Sequence, residues 1–542
     1  MNRAASVSVV VAIIILAGGL RLLHLDWRPM HADEAIQADK FGTLLETGDY
    51  QYDPSQYHGP TLNYLTLPSA WLSGIRTYHN LDEFTLRAVP AVLGIILVLM
   101  PFLLMKVLSF SEAALCAVLT TVSPAMTYYS RYYIHEMLLT CFASGVIVFG
   151  FLYISRPRLV WAVAAGISTG LMLATKETAI ISLGSMVVAL ILALLFPIKY
   201  PLAVPPDGIK GGSRPVLFAR LPHKTSLFFH GMGYLLGVLV VGALFFTSFL
   251  KHPGGIKDFT VACSAYFQRA GHDPFHIHSW HYYLWLLFFF KEGPGPFWSE
   301  AFILFLAAIG GWFVVRERIG SPGRVVFLHF LLWYTILLTL TYALIPYKTP
   351  WCLIGFLHGM ILLAGVGANG LLSCLSRAKA KWILAFILMA GALHLLYQAL
   401  LGNFRYYADP CNPYVYAHTG TDVFAIRDQL EKLAAGSPEG YNLQVQVFSA
   451  KNFWPLPWYC RRFQQVEWWR QVSDKAPVAP VILATPDMEP ALVRKLYDLP
   501  PPGQRELYVP MFDRYVELRP DMEIRGYVAK SYWDRVKNRA GT

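Results

Sequence analysis

Residues 137–197 read MLLTCFASGVIVFGFLYISRPRLVWAVAAGISTGLMLATKETAIISLGSMVVALILALLFP. Three apolar runs, 137–155, 159–175 and 178–197, are parted by two connectors of a few residues each. Each run approaches the ~20 residues that a helix needs to cross a bilayer. Helix is the form such runs take in lipid, because every backbone group then bonds within its own segment. Connectors this short force antiparallel neighbours. Arg156-Pro157-Arg158 and Lys176-Glu177 therefore fall on opposite sides of the membrane.

Working outward, further runs occur at 7–25, 87–107, 112–129, 228–250, 297–315, 325–345, 351–373 and 381–401, giving about eleven spans. The whole chain has 542 residues, 55% of them hydrophobic, and a mean hydropathy of +0.42. That composition is foreign to soluble domains. The first run follows Arg3, is long, and has no convincing cleavage site before Arg21, so it reads as an uncleaved anchor. Lys106, Arg156 and Arg158, the Lys199–Lys224 segment, Arg316–Arg324 and Arg377–Lys381 all alternate onto one side. The excess of basic residues assigns that side to the cytoplasm. A net charge of +11 scattered over connectors, with no continuous stripe, argues against nucleic-acid binding. The expectation is a multi-pass protein of the plasma (inner) membrane whose other face is extracytoplasmic.

On that outer face lie two long loops, 26–86 and 251–296, and everything after residue 401. Within the first loop, Glu34–Glu46 and Thr61–Ile75 read as helices lying in the membrane interface. Within the second, an apolar stretch near Trp280–Lys291 is too short to span. The connector 199–227, rich in Gly, Pro and basic residues, reads as a flexible loop. Residues 1–401 form the expected membrane domain, and 402–542 a small soluble α/β domain. In that domain 421–434 and Glu489–Leu499 read as helices, and Gln444–Ser449 and Val478–Thr485 as strands. Of seven cysteines, Cys411 and Cys460 lie in this polar region and are open to pairing if it is outside the cytosol.

The unusual polar residues gather on the outer face. Asp33-Glu34 follows the first span, and Glu136 opens the fourth after Arg131 and His135. Such acids can serve as a general base or ligate a divalent ion, or they can simply complement a helix start. Arg131 is a cation at the boundary, suited to lipid phosphate or to a substrate phosphate. Lys176-Glu177 is either an ion pair closing a hairpin or a phosphate ligand with its partner. Lys348 reads as a second phosphate ligand, with Tyr347 and Trp351 as sugar-stacking residues or members of the aromatic belt. His58, on the turn Tyr57-His58-Gly59-Pro60, is a candidate metal ligand together with His31, Asp33 and Glu34.

Taken together, these residues resemble the polytopic GT-C glycosyltransferases of the protein O-mannosyltransferase and aminoarabinose lipid A transferase superfamily. The segments His31–Glu34, Tyr57–Pro60, Lys176-Glu177, Pro346–Trp351, Asn412–His418 and Trp454–Tyr459 resemble more narrowly the flippase activity-associated proteins of archaea and bacteria. The resemblance implies an enzyme with a GT-C fold that takes a polyprenyl-phosphate-linked sugar as donor, acts on the outer face and inverts the anomeric carbon. The acceptor would be a glycan, a lipid or a protein. Asp33, Glu34 and Glu136 would be the catalytic acids, with Asp33 as base. Arg131, Lys176 and Lys348 would hold the donor phosphate, and Tyr57, Glu177, Tyr347 and Trp351 would complete the substrate site. A divalent metal ion would sit near His58, Glu34 and Glu136. The second acid is Glu136 where many relatives carry Asp, so its distance to the acceptor would differ. The competing class is a noncatalytic flippase, or a factor associated with one, for lipid-linked oligosaccharides. No Gly-rich phosphate loop or Walker motif supports a nucleotide donor.

Overall fold

The computed structural model describes residues 3–53, 58–195, 224–269, 276–316 and 321–540. Tyr57 and most of the 199–227 connector lie outside them. The chain forms two compact units. The first comprises 1–25, 49–69 and 87–414; the second comprises 26–48, 70–86 and 415–542.

The apolar runs expected to span the membrane are helical over most of their described residues. The helices are α1 (Arg3–Leu22), α2 (Ala32–Thr47), α3 (Thr61–Leu72), α4 (Glu83–Leu103), α5 (Phe110–Val122), α6 (Pro124–Ser130), α7 (Glu136–Ser155), α8 (Leu159–Leu173) and α9 (Ala179–Leu195). They continue with α10 (Lys224–Phe246), α11 (Gly255–Arg269), α12 (Tyr282–Phe288), α13 (Ala301–Arg316), α14 (Pro322–Leu344), α15 (Ile354–Cys374) and α16 (Ala378–Phe404). Among the described residues, seven helices are long and apolar enough to cross a membrane, and the bent pair α5–α6 makes an eighth. The runs forming α8, α9 and α13 give shorter apolar helices than the eleven-span reading expected. The protein is an integral, multi-pass helical membrane protein.

The bend of 63° between α5 and α6 has a local cause. Pro124 has no N–H to offer Thr120, and the Ala125 N–H turns instead to Glu300 Oε1 (2.8 Å). The Thr120 and Thr121 carbonyls are thus released inside the bundle, where an unpaired carbonyl is costly. Arg21 takes both, donating to Thr120 O (2.8 Å) and Thr121 O (3.3 Å). Glu300 also accepts from Ser123 Oγ (2.5 Å) and Tyr414 Oη (2.6 Å). Elsewhere α13 and α15 approach backbone to backbone. A Cβ on Gly310 would stand 2.0 Å from Leu363 O, and one on Gly367 2.2 Å from Leu306 O, so neither position admits a side chain.

In the second unit α2 opens with a capping box. His31 caps Asp33 N–H, and Glu34 reaches back to the His31 N–H. Its stripe Ala35, Ala38, Phe41 and Leu44 is buried within the protein, where the sequence reading had placed the helix in the membrane interface. The tail supplies α17 (Val423–Gly436), β1 (Gln444–Phe448), α18 (Leu456–Tyr459), β2 (Gln465–Trp469), β3 (Val481–Ala484), α19 (Glu489–Val493), β4 (Tyr508–Pro510), β5 (Glu517–Arg519), β6 (Met522–Glu523), β7 (Arg525–Ala529) and α20 (Lys530–Ala540). One sheet has the order β2-β1-β3-β7-β4, parallel across its first three strands and antiparallel beyond. Phe448, Ile482, Met488 and Leu492 build the core on one face. The α/β character follows from the apolar alternation of β1 and the continuous apolar run of β3. Cys411 and Cys460 are both buried free thiols, not a disulfide.

Candidate active site

Three of the sequence motifs meet where the α8–α9 turn docks on the turn after residue 57. The Gly59 N–H donates to Thr175 O (3.0 Å) and the Thr61 N–H to Ala174 O (3.2 Å). The Thr61 and Thr175 hydroxyls lie 2.8 Å apart. A Cβ on Gly59 would stand 2.1 Å from Ala174 O, so this approach needs glycine. His135, just before α7, bonds through Nε2 to Gly59 O (3.0 Å) and brings the third motif in.

Adjacent residues of the turn then take different partners. Lys176 donates to Glu136 Oε1, and both side chains are buried. Glu177 accepts from Tyr52 Oη (3.0 Å) through one oxygen and lies 2.8 Å from His58 Nδ1 through the other. The sequence reading treated Lys176-Glu177 as a possible pair with each other; the hydrogen bonds form across the bundle instead. Burial alone would push the Glu177 carboxyl up. The His58 charge and hydrogen bond, its own backbone N–H and the Lys176 charge hold it down to about 2. His135 is pushed well below its ordinary 6.5 by burial, and then by the neighbouring His58 and Lys176 charges.

Both shifts make this junction acid-labile. A neutral buried His135 disfavours folding wherever the unfolded chain is protonated, that is, as pH falls below 6.5. The depressed Glu177 contributes stability above its ordinary 4.5 that disappears as pH falls from there toward 2. The melting temperature in detergent should therefore drop between pH 7 and pH 5, and His135→Gln should flatten that slope. An unchanged slope in the variant would remove His135 as its source.

The fourth motif enters through a cavity of about 30 Å³ between α7, α9, α14 and α15, lined among others by Glu136, Lys176, Tyr334, Tyr342, Trp351 and His358. Space of that size admits a water or two. A second, apolar cavity of about 230 Å³ lies along α7, α9, α10 and α14, and Ile147 lines both. Trp351 belongs to a buried aromatic cluster with Tyr129 and Tyr132, ring centroids 6.4 Å away in each case. Its ring is buried in protein. Tyr347 lies against His276 (4.6 Å), where a short antiparallel bridge joins Ile277 to Tyr347. The buried Lys348 donates to His278 O (3.2 Å) and to Ile345 O. Burial lowers its pKa.

Arg131 has a different task from the one its position suggested. It donates to Leu20 O (3.1 Å), Leu23 O (2.7 Å) and His24 O (2.9 Å) and lies over the Phe404 ring. It therefore caps the end of α1, where a cation suits the helix dipole.

Asp33 and Glu34 belong to the second unit. Glu34 is fully buried. Its Oε1 accepts from Arg28 (3.3 Å) and its Oε2 from the His31 N–H (3.0 Å). It is a helix-start residue, not an acid open to substrate. Asp33 is about half exposed and has the His31 ring 3.8 Å from its carboxylate.

The expected metal ligands do not fit a metal. Glu34 is taken as above, Glu136 by Lys176, and His58 by Glu177. Among the described residues no three His, Cys, Asp or Glu side chains are gathered to hold an ion. The sequence reading passed over Tyr52, Glu300 and His358. Tyr52 is one of several tyrosines in the 26–86 loop with nothing to single it out, and Glu300 and His358 are lone polar residues in apolar surroundings.

Residues 61–222 match the family model described as dolichyl-phosphate-mannose-protein mannosyltransferase. No curated protein matches the chain in sequence. Among solved structures, apo ArnT from Cupriavidus metallidurans is similar with a TM-score of 0.61 and 15% identity, over 96% of this chain and 98% of that one. ArnT bound to undecaprenyl phosphate gives 0.55 and 15%, over 97% and 98%. The Archaeoglobus fulgidus oligosaccharyltransferase AglB, in complex with an inhibitory peptide and a dolichol-phosphate, gives 0.50 and 14%, over 89% of this chain and 70% of that one. The fold is thus that of GT-C membrane glycosyltransferases, as the sequence motifs led one to expect.

Proposed function

We propose that this protein is a glycosyltransferase that moves a sugar from a polyprenyl-phosphate-linked donor to an acceptor hydroxyl on the extracytoplasmic face of the plasma membrane. The observation that carries the reading is the convergence of four motifs on the buried Glu136–Lys176 pair. That pair lines a small cavity, and a larger apolar cavity lies on the other side of the shared lining residue Ile147. A donor of this class needs cations for its phosphate and apolar surface for its chain, and the membrane unit supplies both. The mannosyltransferase match and the ArnT-like fold support the same donor class. The orientation rests on the basic connectors, which lie at the opposite ends of α7 and α8 from Lys176.

Asp33 is assigned the base because, of the three candidate acids, it is exposed while Glu34 and Glu136 are buried. Its carboxylate takes the proton of the acceptor hydroxyl. The oxygen attacks the anomeric carbon from the face opposite the phosphate, and the bond from that carbon to the phosphate oxygen breaks with its electron pair left on the phosphate. One displacement gives inversion, and the products are glycosylated acceptor, polyprenyl phosphate and protonated Asp33. Lys176 and Lys348 hold the phosphate charge; Arg131 acts by fixing the end of α1.

The test is transfer of radiolabelled sugar from a panel of polyprenyl-phosphate donors into total envelope fractions by purified protein. Labelled product is expected, and its chemistry names the acceptor. One observation favours the flippase reading: the small cavity is lined by both Lys176 and His358, the latter inside the span Pro350–Cys374, and transport sites draw on polar residues within spans. Binding of lipid-linked sugar with no product from any donor would decide for that reading.

A further inference from the structure

The backbone that leads into Asp33 is held by the tail of the chain. The Met30 N–H donates to Tyr459 Oη (2.8 Å), and Met30 O accepts from Thr419 Oγ1 (2.7 Å). Met30 is fully buried, and Tyr459 and Thr419 nearly so. Tyr459 is itself fixed. Its ring packs against Phe424 at 6.1 Å. Its neighbour Trp458 donates to Glu83 Oε1 (2.8 Å) and is covered by the Arg461 guanidinium 3.8 Å from the ring centroid. On the other side of Met30, the capping box and the Arg28–Glu34 bridge fix the next four residues. Everything around Asp33 is locked, while its own carboxylate faces out.

From this geometry we infer that Tyr459 and Thr419 are positioning residues for Asp33. They pin both polar groups of the Met30 peptide backbone and so set where the α2 start presents its exposed acid. This rests on the reading of Asp33 as base, and it gives the tail a part in the reaction. A displacement of about 1 Å in a reacting group lowers rates on the order of 100-fold, whereas packing around an intact ring is little changed by loss of one hydroxyl.

The test compares Tyr459→Phe and Thr419→Val with Val447→Ala, a buried β1 position that lowers stability without touching Met30. Two readouts are taken on the full-length protein. The first, amide hydrogen exchange at residues 30–35, needs no substrate. The second is kcat and KM with the donor that serves the wild type. Faster exchange at 30–35 in both positioning variants, a kcat at least about 10-fold lower and an unchanged donor KM are expected, with Val447→Ala near wild type in both. Unchanged exchange would overturn the proposal, as would a kcat loss equal to that of Val447→Ala. Failure of the Asp33 reading shows separately, as full turnover in Asp33→Asn.

Discussion

Asp33→Asn lowers sugar transfer by a factor of about 100 to 10,000, the range a positioned general base supplies, while the protein still inserts and folds. The asparagine keeps the shape of the carboxylate at an exposed helix-start position. It loses only a charge favourable to the helix dipole, about 0.3–1 kcal/mol. Folding and catalysis are thus separable at this residue. Glu34→Gln differs, because Glu34 receives Arg28 and the His31 N–H in full burial; it should lower the melting temperature before it affects chemistry. Transfer rates for both variants, beside their melting curves in detergent, check the distinction. Wild-type transfer by Asp33→Asn would remove the base.

Lys176→Met has the largest expected effect on stability. It leaves Glu136 buried without the cation it is bonded to, and breaking a buried pair from one side costs about 3–5 kcal/mol. Lys176→Met combined with Glu136→Leu should recover most of that loss, since a buried pair replaced by apolar residues is often neutral. The double variant then reads the functional role alone: a raised donor KM in a stable protein assigns Lys176 to the donor phosphate. Melting curves for the three proteins and donor titrations for the double variant are the measurements. A single variant as stable as wild type would mean that the pair is not buried in solution, and an unchanged donor KM would make it a structural element.

The helices were legible because apolar runs and basic connectors are strong, local signals. Sidedness was legible for the same reason, and it brought Lys176, His58 and His135 to one end of the bundle. Their pairing was not. Two residues adjacent on a turn project to different sides, so Lys176 meets Glu136 while Glu177 meets His58 and Tyr52, and no spacing rule in the sequence encodes that. Asp33 and Glu34 were likewise read as one motif, yet one helical step separates a buried cap from an exposed acid. Arg21 escaped because its partners are main-chain carbonyls released by a proline far along the chain, and Glu300 because its partners, the Ala125 N–H and the Ser123 and Tyr414 hydroxyls, lie more than 100 residues away on either side.

Arg21 also bears on how the protein is made. Its guanidinium donates to carbonyls 99 and 100 residues ahead, and lipid offers no substitute for them. During synthesis α1 therefore reaches the bilayer long before the acceptors of its arginine exist. Helix α1 takes its final seat only when the α5–α6 break arrives, so it is locked well after it is inserted. A nascent chain halted after residue 108 should leave Leu20→Cys open to a water-soluble thiol reagent, and the full chain, in which Leu20 is buried, should protect it. Equal protection in both would mean that α1 settles unaided.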